Sequence, residues 1–417
     1  MKKFYIISMA CLAVLFGFEP GAQAQTVWDG TTDISWYDAN QTSFNISTPE
    51  QLAGMAVLMT AQVTNFSGMT VNLTADIWLN ADNDSTNNWT PIGGFATATS
   101  EAANNSSAYA FSGTFKGHGH TIHNLYCDKS AYYQAGLFGC VQYPCTIDSL
   151  VLLHPVVKAN GMSGSLIGYT LNSGNVYVSN CLVINGRVAA TGNNNNGGLL
   201  GANWQMQDGS YWTYITDCGV TGTVIGKFIG GIVGNGQKVN TTNCYFAGTL
   251  IPTNDNWGGI LGHASSGKYS LNNTYCNIPS ASTAVEGRDG TIITDAEMLA
   301  DAFVTTLGSA FMADNGINSG YPIMSYMKGI SASATEICAG ESVTLTGMGY
   351  DSYLWTPGSQ TAQTIMVTPA TTTTYTMTGT MSDGSTGTHT VTVTVYPQAV
   401  VTASGAASAD GQVHGTV

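Results

Sequence analysis

Three closely spaced histidines, His118, His120 and His123, are the first residues in the chain whose spacing suggests a metal site. On a strand, His118 and His120 would share one face and His123 would lie on the other, whereas a metal ion needs ligands that converge on it. The segment is therefore better interpreted as a turn and strand of the fold. We expect no metal at these histidines.

A second group with potential chemistry consists of Asp76, Asp82 and Asp84, with asparagines beside them. Calcium takes several oxygen ligands, so these side chains could surround it. The spacing of an EF-hand loop is missing, and acidic loops are common on exported proteins. We expect no cofactor, and calcium is the alternative.

Catalysis requires reactive groups that converge on one place. Glycoside hydrolysis needs two carboxylates about 5 to 10 Å apart, yet the acidic and basic residues between 128 and 290 do not recur together at one repeat position. Asp217 stands where other copies carry Asn180 and Asn243, which predicts a turn residue rather than a general acid. The sequence therefore favours a protein that is not an enzyme.

Cysteines recur at one position of a repeated word. Cys181, Cys218 and Cys244 each directly follow an Asn or Asp, at positions 180, 217 and 243. Side chains in register on parallel neighbours point the same way, which is poor geometry for a disulfide, so we predict an inward ladder of free thiols. A disulfide between Cys140 and Cys145 is more favourable than one among these three cysteines.

Aromatic residues are the most plausible functional surface. Trp204, Tyr211, Trp212 and Tyr214 surround the longest segment between repeated strands, and Trp257 precedes another repeat. Exposed Trp and Tyr offer flat apolar faces to sugar rings or proteins, so these five residues are predicted to bind a ligand. The alternative is that they pack onto the fold as a satellite core.

These residues are set in a repeat whose word is two small residues, two apolar residues and a glycine. The word occurs at residues 135–139, 164–168, 197–201, 230–234 and 258–262, closing on Gly139, Gly168, Gly201, Gly234 and Gly262. The closing glycines are 29, 33, 33 and 28 residues apart. A period near 30 without helical patterning predicts a β-solenoid with two recurring strands per coil.

The glycines and the apolar pair have predicted roles in such a coil. The glycines would either adopt positive φ at corners or let neighbouring backbones approach too closely for a side chain to fit. Of each apolar pair, one residue is predicted to point into the core and the other toward the flanking loops.

The flanks of the repeat differ from it in composition. Residues 1–24 read as a secretory signal peptide that ends at Ala22-Gln23-Ala24. Residues 25–127 are predicted as an N-terminal cap and first coils, with one helix over 49–62 capped by Thr48. After the repeats at 128–290, residues 291–329 carry one helix that begins after Thr294 and is predicted to cap the open end of the solenoid.

The remaining residues change to alternating Thr and Val. Short strands around Trp355 predict a β-sandwich over 330–397. Residues 398–417 are small and polar, and we interpret them as a linker or the start of a truncated module.

Composition excludes some partners. The formal net charge is -14, with only 9% charged residues and 50 glycines, so nucleic acid is not an expected partner. No segment after the signal approaches the roughly 20 apolar residues of a membrane span.

The repeat words resemble the GLUG-motif family of bacterial surface proteins, whose repeats carry a Gly-Gly-hydrophobic-hydrophobic-Gly core. The resemblance runs from about residue 29 to 328 and includes the Thr48–Leu52 helix start, Trp89–Gly93 and Asn315–Pro322. Residues 330–397, with Cys338 near their start, are similar to Ig-like modules of exported Bacteroidetes proteins, although the second cysteine of that pattern is absent.

The resemblance implies an all-β chain made of a right-handed parallel β-helix with short helical flanks and a C-terminal Ig-like β-sandwich. We expect a secreted or surface-displayed, monomeric, adhesin-like protein that contacts glycans or extracellular host or matrix proteins. The alternatives are a β-helix carbohydrate-active enzyme, either a polysaccharide lyase or a glycoside hydrolase, and a purely structural stalk.

Overall fold

The computed structural model describes a chain dominated by strands. The described residues are 27–94, 109–130, 133–171, 174–190, 192, 195–204, 211–253, 256–264, 268–278, 288–314, 316–332, 334–348, 350, 352–380, 386–397, 405–407 and 413–415. The predicted signal peptide lies outside them. Of the residues that the structure describes, strands account for 50% and helices for 8%, and the largest sheets are parallel, so the predicted all-β class is confirmed.

The first part of the chain supplies short strands and one helix. Its elements are β1 (Ser43–Ile46), α1 (Pro49–Thr60), β2 (Thr70–Leu73), β3 (Ile77–Trp78), β4 (Thr114–Lys116), β5 (Thr121–His123) and β6 (Tyr126–Lys129). The Thr48 side chain accepts a hydrogen bond from Gln51 N, while the Gln51 side chain accepts one from Ser47 N at 2.9 Å. These bonds satisfy free N–H groups at and before the helix start, and α1 begins where the sequence predicts.

The repeats contribute strands that recur in the same order. They are β7 (Gln134–Ala135), β8 (Phe138–Gln142), β9 (Cys145–Asp148), β10 (Val151–Leu153), β11 (Val156–Ala159), β12 (Met162–Gly164), β13 (Ile167–Leu171), β14 (Val176–Ser179), β15 (Leu182–Ala190), β16 (Asn195–Gly197), β17 (Leu200–Trp204), β18 (Thr213–Thr216), β19 (Gly219–Gly226), β20 (Phe228–Gly230), β21 (Val233–Gly236), β22 (Val239–Pro252), β23 (Trp257–Gly258), β24 (Leu261–His263) and β25 (Tyr269–Cys276).

Each strand pairs in parallel with the equivalent strand of the next repeat. Two five-stranded sheets have the orders β23-β20-β16-β12-β7 and β24-β21-β17-β13-β8, and a 16-stranded sheet carries the remaining repeat strands together with β1 to β6 and β26 (Thr291–Ile292). We call this arrangement the parallel stack. Most repeats contribute three or four strands, more than the two predicted. The additional strands form because residues at both ends of each glycine word also pair with the equivalent residues of the next repeat.

The closing glycines form a column in which neighbouring repeats touch through their backbones. A Cβ on Gly168 would lie 2.8 Å from the carbonyl oxygen of Gly139, and one on Gly234 would lie 2.6 Å from that of Gly201. Their φ angles are outside the left-handed region, so close approach, and not positive φ, is the reason for glycine here.

Positive φ occurs instead at a different corner, between β14 and β15 and its equivalents. The residues there are Ser149, Asn180, Asp217, Asn243 and Asn273, with φ between 46° and 57°. Asn and Asp tolerate this conformation better than other residues with a side chain. Asn243 donates to Asp217 Oδ1 at 2.8 Å, which places Asp217 in the turn as predicted.

Both apolar residues of each repeat word are buried. In two of the words, Leu166, Ile167, Leu199 and Leu200 are each at most 1% exposed. All four belong to the main core. The prediction that one of each pair faces the loops is therefore wrong. The chain bends between the two residues, and both side chains point inward.

A second core lies on the side of the parallel stack, beneath residues 291–328. This segment contains β26 (Thr291–Ile292), α2 (Asp295–Met298), α3 (Asp301–Leu307), β27 (Phe311–Met312) and β28 (Ile323–Met324). The predicted single helix is split, because Ala300 has extended φ and ψ angles. The predicted capping box at Thr294 is present.

The sequence predicts an end cap here, but most of this segment packs on the flank of the parallel stack, while β26 pairs in parallel with β25, the last repeat strand. Phe303 and Leu307 pack with Leu182, Ile184 and other outward side chains of the sheet. Farther along, the Tyr326 hydroxyl donates to Asn180 O at 2.6 Å. The segment covers the flank because the strands there are apolar on both faces, so their outer face must also be buried.

The C-terminal strands form two smaller sheets around one core. They are β29 (Gly329–Ala332), β30 (Glu336–Cys338), β31 (Val343–Met348), β32 (Ser352–Thr356), β33 (Thr364–Val367), β34 (Thr373–Thr380) and β35 (Thr386–Tyr396), arranged as β29-β31-β33 and β30-β35-β34-β32. Trp355 is fully buried between them with Leu345 and Met377. In the predicted linker, β36 (Gly405–Ala407) pairs antiparallel with β37 (Val413–Gly415).

The glycine column predicts that a branched side chain at Gly201 will destabilise the parallel stack. Gly201→Val should lower the free energy of unfolding by about 2–3 kcal/mol, since its Cβ would lie 2.6 Å from Ser163 N. Urea unfolding followed by circular dichroism measures the change. Gly329→Ala is the control, because its Cβ would meet only Met348 Cε at 3.6 Å. Equal effects of the two substitutions would contradict the explanation.

Candidate functional site

Two tyrosines stack on the exposed face of the parallel stack. Tyr177 on β14 and Tyr214 on β18 are direct partners in register, and their rings lie 5.3 Å apart at an angle of 10°. Alternation along β14 sends Val176 and Val178 into the core and leaves Tyr177 44% exposed. The pair thus presents aromatic surface on a rigid sheet.

A tryptophan and a lysine extend this surface. The Trp212 backbone N donates to Asn175 Oδ1 at 2.8 Å, and Asn175 Nδ2 donates to the Tyr177 hydroxyl at 3.3 Å. Lys238 Nζ lies 5.2 Å from the centre of a Trp212 ring, within cation–π range. We call Asn175, Tyr177, Trp212, Tyr214 and Lys238 the aromatic surface.

The structure brings together three of the five predicted binding residues. Tyr211, which is 43% exposed, Trp212 and Tyr214 are consecutive or nearly so at the start of β18. Trp257 is half-buried and packs against the main core, as the satellite-core alternative predicts for it. The backbone of Trp204 ends β17, and its side chain lies outside the described part of the structure.

Sequence reasoning missed Asn175, Tyr177 and Lys238. A signal for Tyr177 was available, because it precedes Asn180 by three residues as Tyr214 precedes Asp217. The contacts of Asn175 and Lys238 depend on loops of different repeats meeting at one edge, which the repeat word does not specify.

The three histidines have separate surroundings. His118 lies at a corner with φ of 51° rather than on a strand, and its ring is 3.0 Å from Asn72 Oδ1. His120 pairs with Asp76 at 3.1 Å, and His123 stacks on Trp78 with ring centres 4.2 Å apart. Burial lowers the pKa of His123, because it disfavours the charged form of the ring.

The aspartates considered for calcium also have separate partners. Asp76 contacts His120, Asp82 accepts from Asn124 Nδ2 at 3.0 Å, and Asp84 accepts from the Thr86 backbone N at 3.0 Å. Among the residues that the structure describes, no group of three or more His, Cys, Asp or Glu side chains is arranged to hold a metal ion.

Carboxylates within the repeats serve the fold. Burial acts to raise the pKa of Asp148, but hydrogen bonds from Ser179, Asn180 and Ser149 outweigh it and hold the pKa below its ordinary value. A general acid in glycoside hydrolysis needs the opposite shift. Asp148 is therefore an ionised acceptor that joins two neighbouring repeats.

The repeated cysteines line the core as free thiols. Cys181, Cys218 and Cys244 are each at most 1% exposed, and each thiol contacts the carbonyl oxygen two residues before it at 3.1 to 3.2 Å. Cys140 and Cys145 are also buried and free, so the predicted bridge between them is absent from the structure.

Comparison with known proteins gives little overlap. No family model matches the chain, and no solved structure matches it. A stretch of 140 residues, 34% of the chain, is 31% identical to part of halomucin from Haloquadratum walsbyi. The chain spans about 1% of the length of that protein.

Burial of the thiols predicts that they resist modification in the folded protein. Iodoacetamide at pH 8 should label Cys338, which is half-buried, and spare the buried thiols at 127, 140, 145, 181, 218, 244 and 276. Mass spectrometry of peptides measures the labelling, and protein in 6 M guanidinium should be labelled throughout. Thiols that stay unlabelled in denaturant unless reductant is added would show disulfides instead.

The same burial predicts an alkaline limit to stability. Desolvation raises the pKa of Cys127 from 9.0 to about 12 and that of Cys276 to about 11. Folding keeps these thiols protonated, so their contribution is complete below pH 9 and is lost as the pH rises toward 11 to 12. The free energy of unfolding should fall across this range, and less steeply in Cys127→Ala. Equal slopes in both proteins would contradict this assignment.

Proposed function

We propose that the protein is a secreted or surface-displayed binding protein, adhesin-like and not catalytic, that contacts glycans or extracellular proteins through its aromatic surface. The observation that carries the proposal is the stacked pair of Tyr177, which is exposed, and Tyr214, which is half-buried, on a sheet whose other face is core. Two stacked tyrosines on a rigid sheet provide apolar contact area at little conformational cost.

The chemistry around the tyrosines fits a sugar or a polar protein surface. Asn175 supplies an amide, the tyrosines supply hydroxyls, and Lys238 lies over Trp212 as a single cation. Aromatic rings pack against the apolar faces of sugar rings, while the amide and hydroxyls can hydrogen-bond to sugar hydroxyls.

We further propose that the parallel stack is a right-handed β-helix of the GLUG-motif type and that residues 330–397 are an Ig-like module acting as a spacer. Parallel pairing of every repeat word with the next, over five copies, supports the first proposal. The two sheets that enclose Trp355 support the second.

We propose an extracellular location on the basis of the predicted signal peptide over residues 1–24. In the described residues, no helix is long and apolar enough to cross a membrane.

The proposal predicts that the aromatic surface is needed for binding but not for folding. Purified protein should bind members of an array of glycans and matrix proteins without cleaving them. A Tyr177→Ala, Tyr214→Ala double variant should weaken that binding at least 10-fold, since central aromatic contacts commonly contribute 2 kcal/mol or more. Trp212→Ala should weaken it as well.

A control variant, a folding check and product analysis decide the outcome. Tyr396→Ala, which removes a 45% exposed tyrosine from the C-terminal strands, should bind like the unchanged protein. Circular dichroism should show that all variants are folded. New reducing ends or unsaturated sugars in the bound glycans would overturn the proposal in favour of an enzyme, and absence of binding throughout would leave a structural stalk.

A further inference from the structure

A groove separate from the aromatic surface opens between α1 and residues 86–90. Its volume is about 590 Å³, within the range of small-molecule sites. Ala53, Ala56 and Val57 of α1 form one wall, and Trp28 and Trp89 form the floor. The groove lies at the β1 end of the parallel stack, and β2, β4 and β9 separate β1 from β14, the strand that carries Tyr177.

The floor of the groove is fixed by the fold. Trp28 and Trp89 pack edge to face with ring centres 5.6 Å apart. The Trp89 indole N donates to Leu137 O at 3.1 Å, and the Trp28 indole N donates to Thr31 O at 2.7 Å. Trp89 is fully buried and Trp28 is 7% exposed, so the tryptophans support the groove from beneath, and exposed apolar surface in it comes from α1, where Val57 is 39% exposed.

The rim is polar but uncharged. Hydroxyls of Thr32, Thr60 and Thr90 and the side chain of Asn87 surround the apolar wall. Asn87 Nδ2 is engaged with the carbonyl of Leu79 at 3.3 Å, which fixes the orientation of its amide. Among the described residues that line the groove, none is Asp, Glu, Lys, Arg or His.

This composition selects a class of ligand. A charged ligand would lose hydration in the groove and find no opposite charge, which costs several kcal/mol. A purely apolar ligand would displace water from the threonine hydroxyls of the rim without replacing the hydrogen bonds. A molecule with an apolar face and several hydroxyls satisfies both walls.

We infer that the groove between α1 and residues 86–90 is a binding site for a neutral saccharide of one or two pyranose rings. The C–H face of the sugar packs on Val57, above the buried tryptophan floor. Its hydroxyls hydrogen-bond to the threonines of the rim. The site is independent of the aromatic surface, and either can exist without the other.

The test uses defined sugars and calorimetry. N,N′-diacetylchitobiose, mannobiose and lactose are the neutral probes, and 6′-sialyllactose is the anionic one. At least one neutral disaccharide should bind the purified protein with a Kd of about 1 mM or tighter, and more tightly than the sialylated sugar. Failure of all three neutral sugars to bind, or preference for the sialylated sugar, would overturn the inference.

Variants locate the binding. Val57→Trp, at a position 39% exposed on α1, should fill the groove and weaken binding at least 10-fold. Val63→Trp, at a position 56% exposed just beyond α1 and outside the groove, is the matched control and should leave the affinity unchanged. Thr60→Trp, at the exposed end of α1, provides a second blocking variant if Val57→Trp does not fold.

A final comparison separates this site from the aromatic surface. The Tyr177→Ala, Tyr214→Ala double variant should bind the neutral disaccharide as the unchanged protein does. Loss of disaccharide binding in that variant, with retention in Val57→Trp, would overturn the groove and support the aromatic surface instead.

Discussion

Contact between the backbones of successive repeats at the closing glycines is the constraint on which the rest of the structure depends. At this column the carbonyl oxygen of one repeat occupies the space where the next would carry a Cβ. Hydrogen bonds run from repeat to repeat beside it, as from Leu199 N to Ile232 O at 3.1 Å. Both apolar residues of the word then point inward, and the strands on either side follow in parallel register.

The corner between β14 and β15, with its equivalents in the other repeats, requires positive φ and uses different residues. Asn180, Asp217, Asn243 and Asn273 take up left-handed φ, and their side chains bond to one another or to Asp148 across repeats. The thiols of Cys181, Cys218 and Cys244, which follow the first three of these residues, are packed just inside this corner. A fold with few charges is thereby held by backbone contact, amide ladders and small apolar side chains, which leaves its exposed aromatic and threonine side chains available for contacts with other molecules.

Much of this architecture could be predicted from the sequence because the repeat word fixes a period, and parallel pairing of identical words follows from it. The turn role of Asp217 was predictable by comparison with Asn180 and Asn243. The position of residues 291–328 was not, because their amphipathic pattern shows that a face is buried but not against what. The binding residues were found only in part: the conspicuous cluster at 211–214 was visible, whereas Tyr177 and Lys238 join it through loops whose meeting is set by the stack.

The one-to-one register of the repeats also makes the number of copies a measure of length. Neighbouring parallel strands are spaced by about 4.8 Å, so each added or deleted repeat would change the reach of the protein by that step. The spacing between closing glycines varies from 28 to 33 residues without interrupting the column, so the differences are taken up in loops and not in the advance per repeat. Chain segments of unequal size therefore yield equal increments of distance, and the separation between the two ends of the stack is set by counting copies rather than residues.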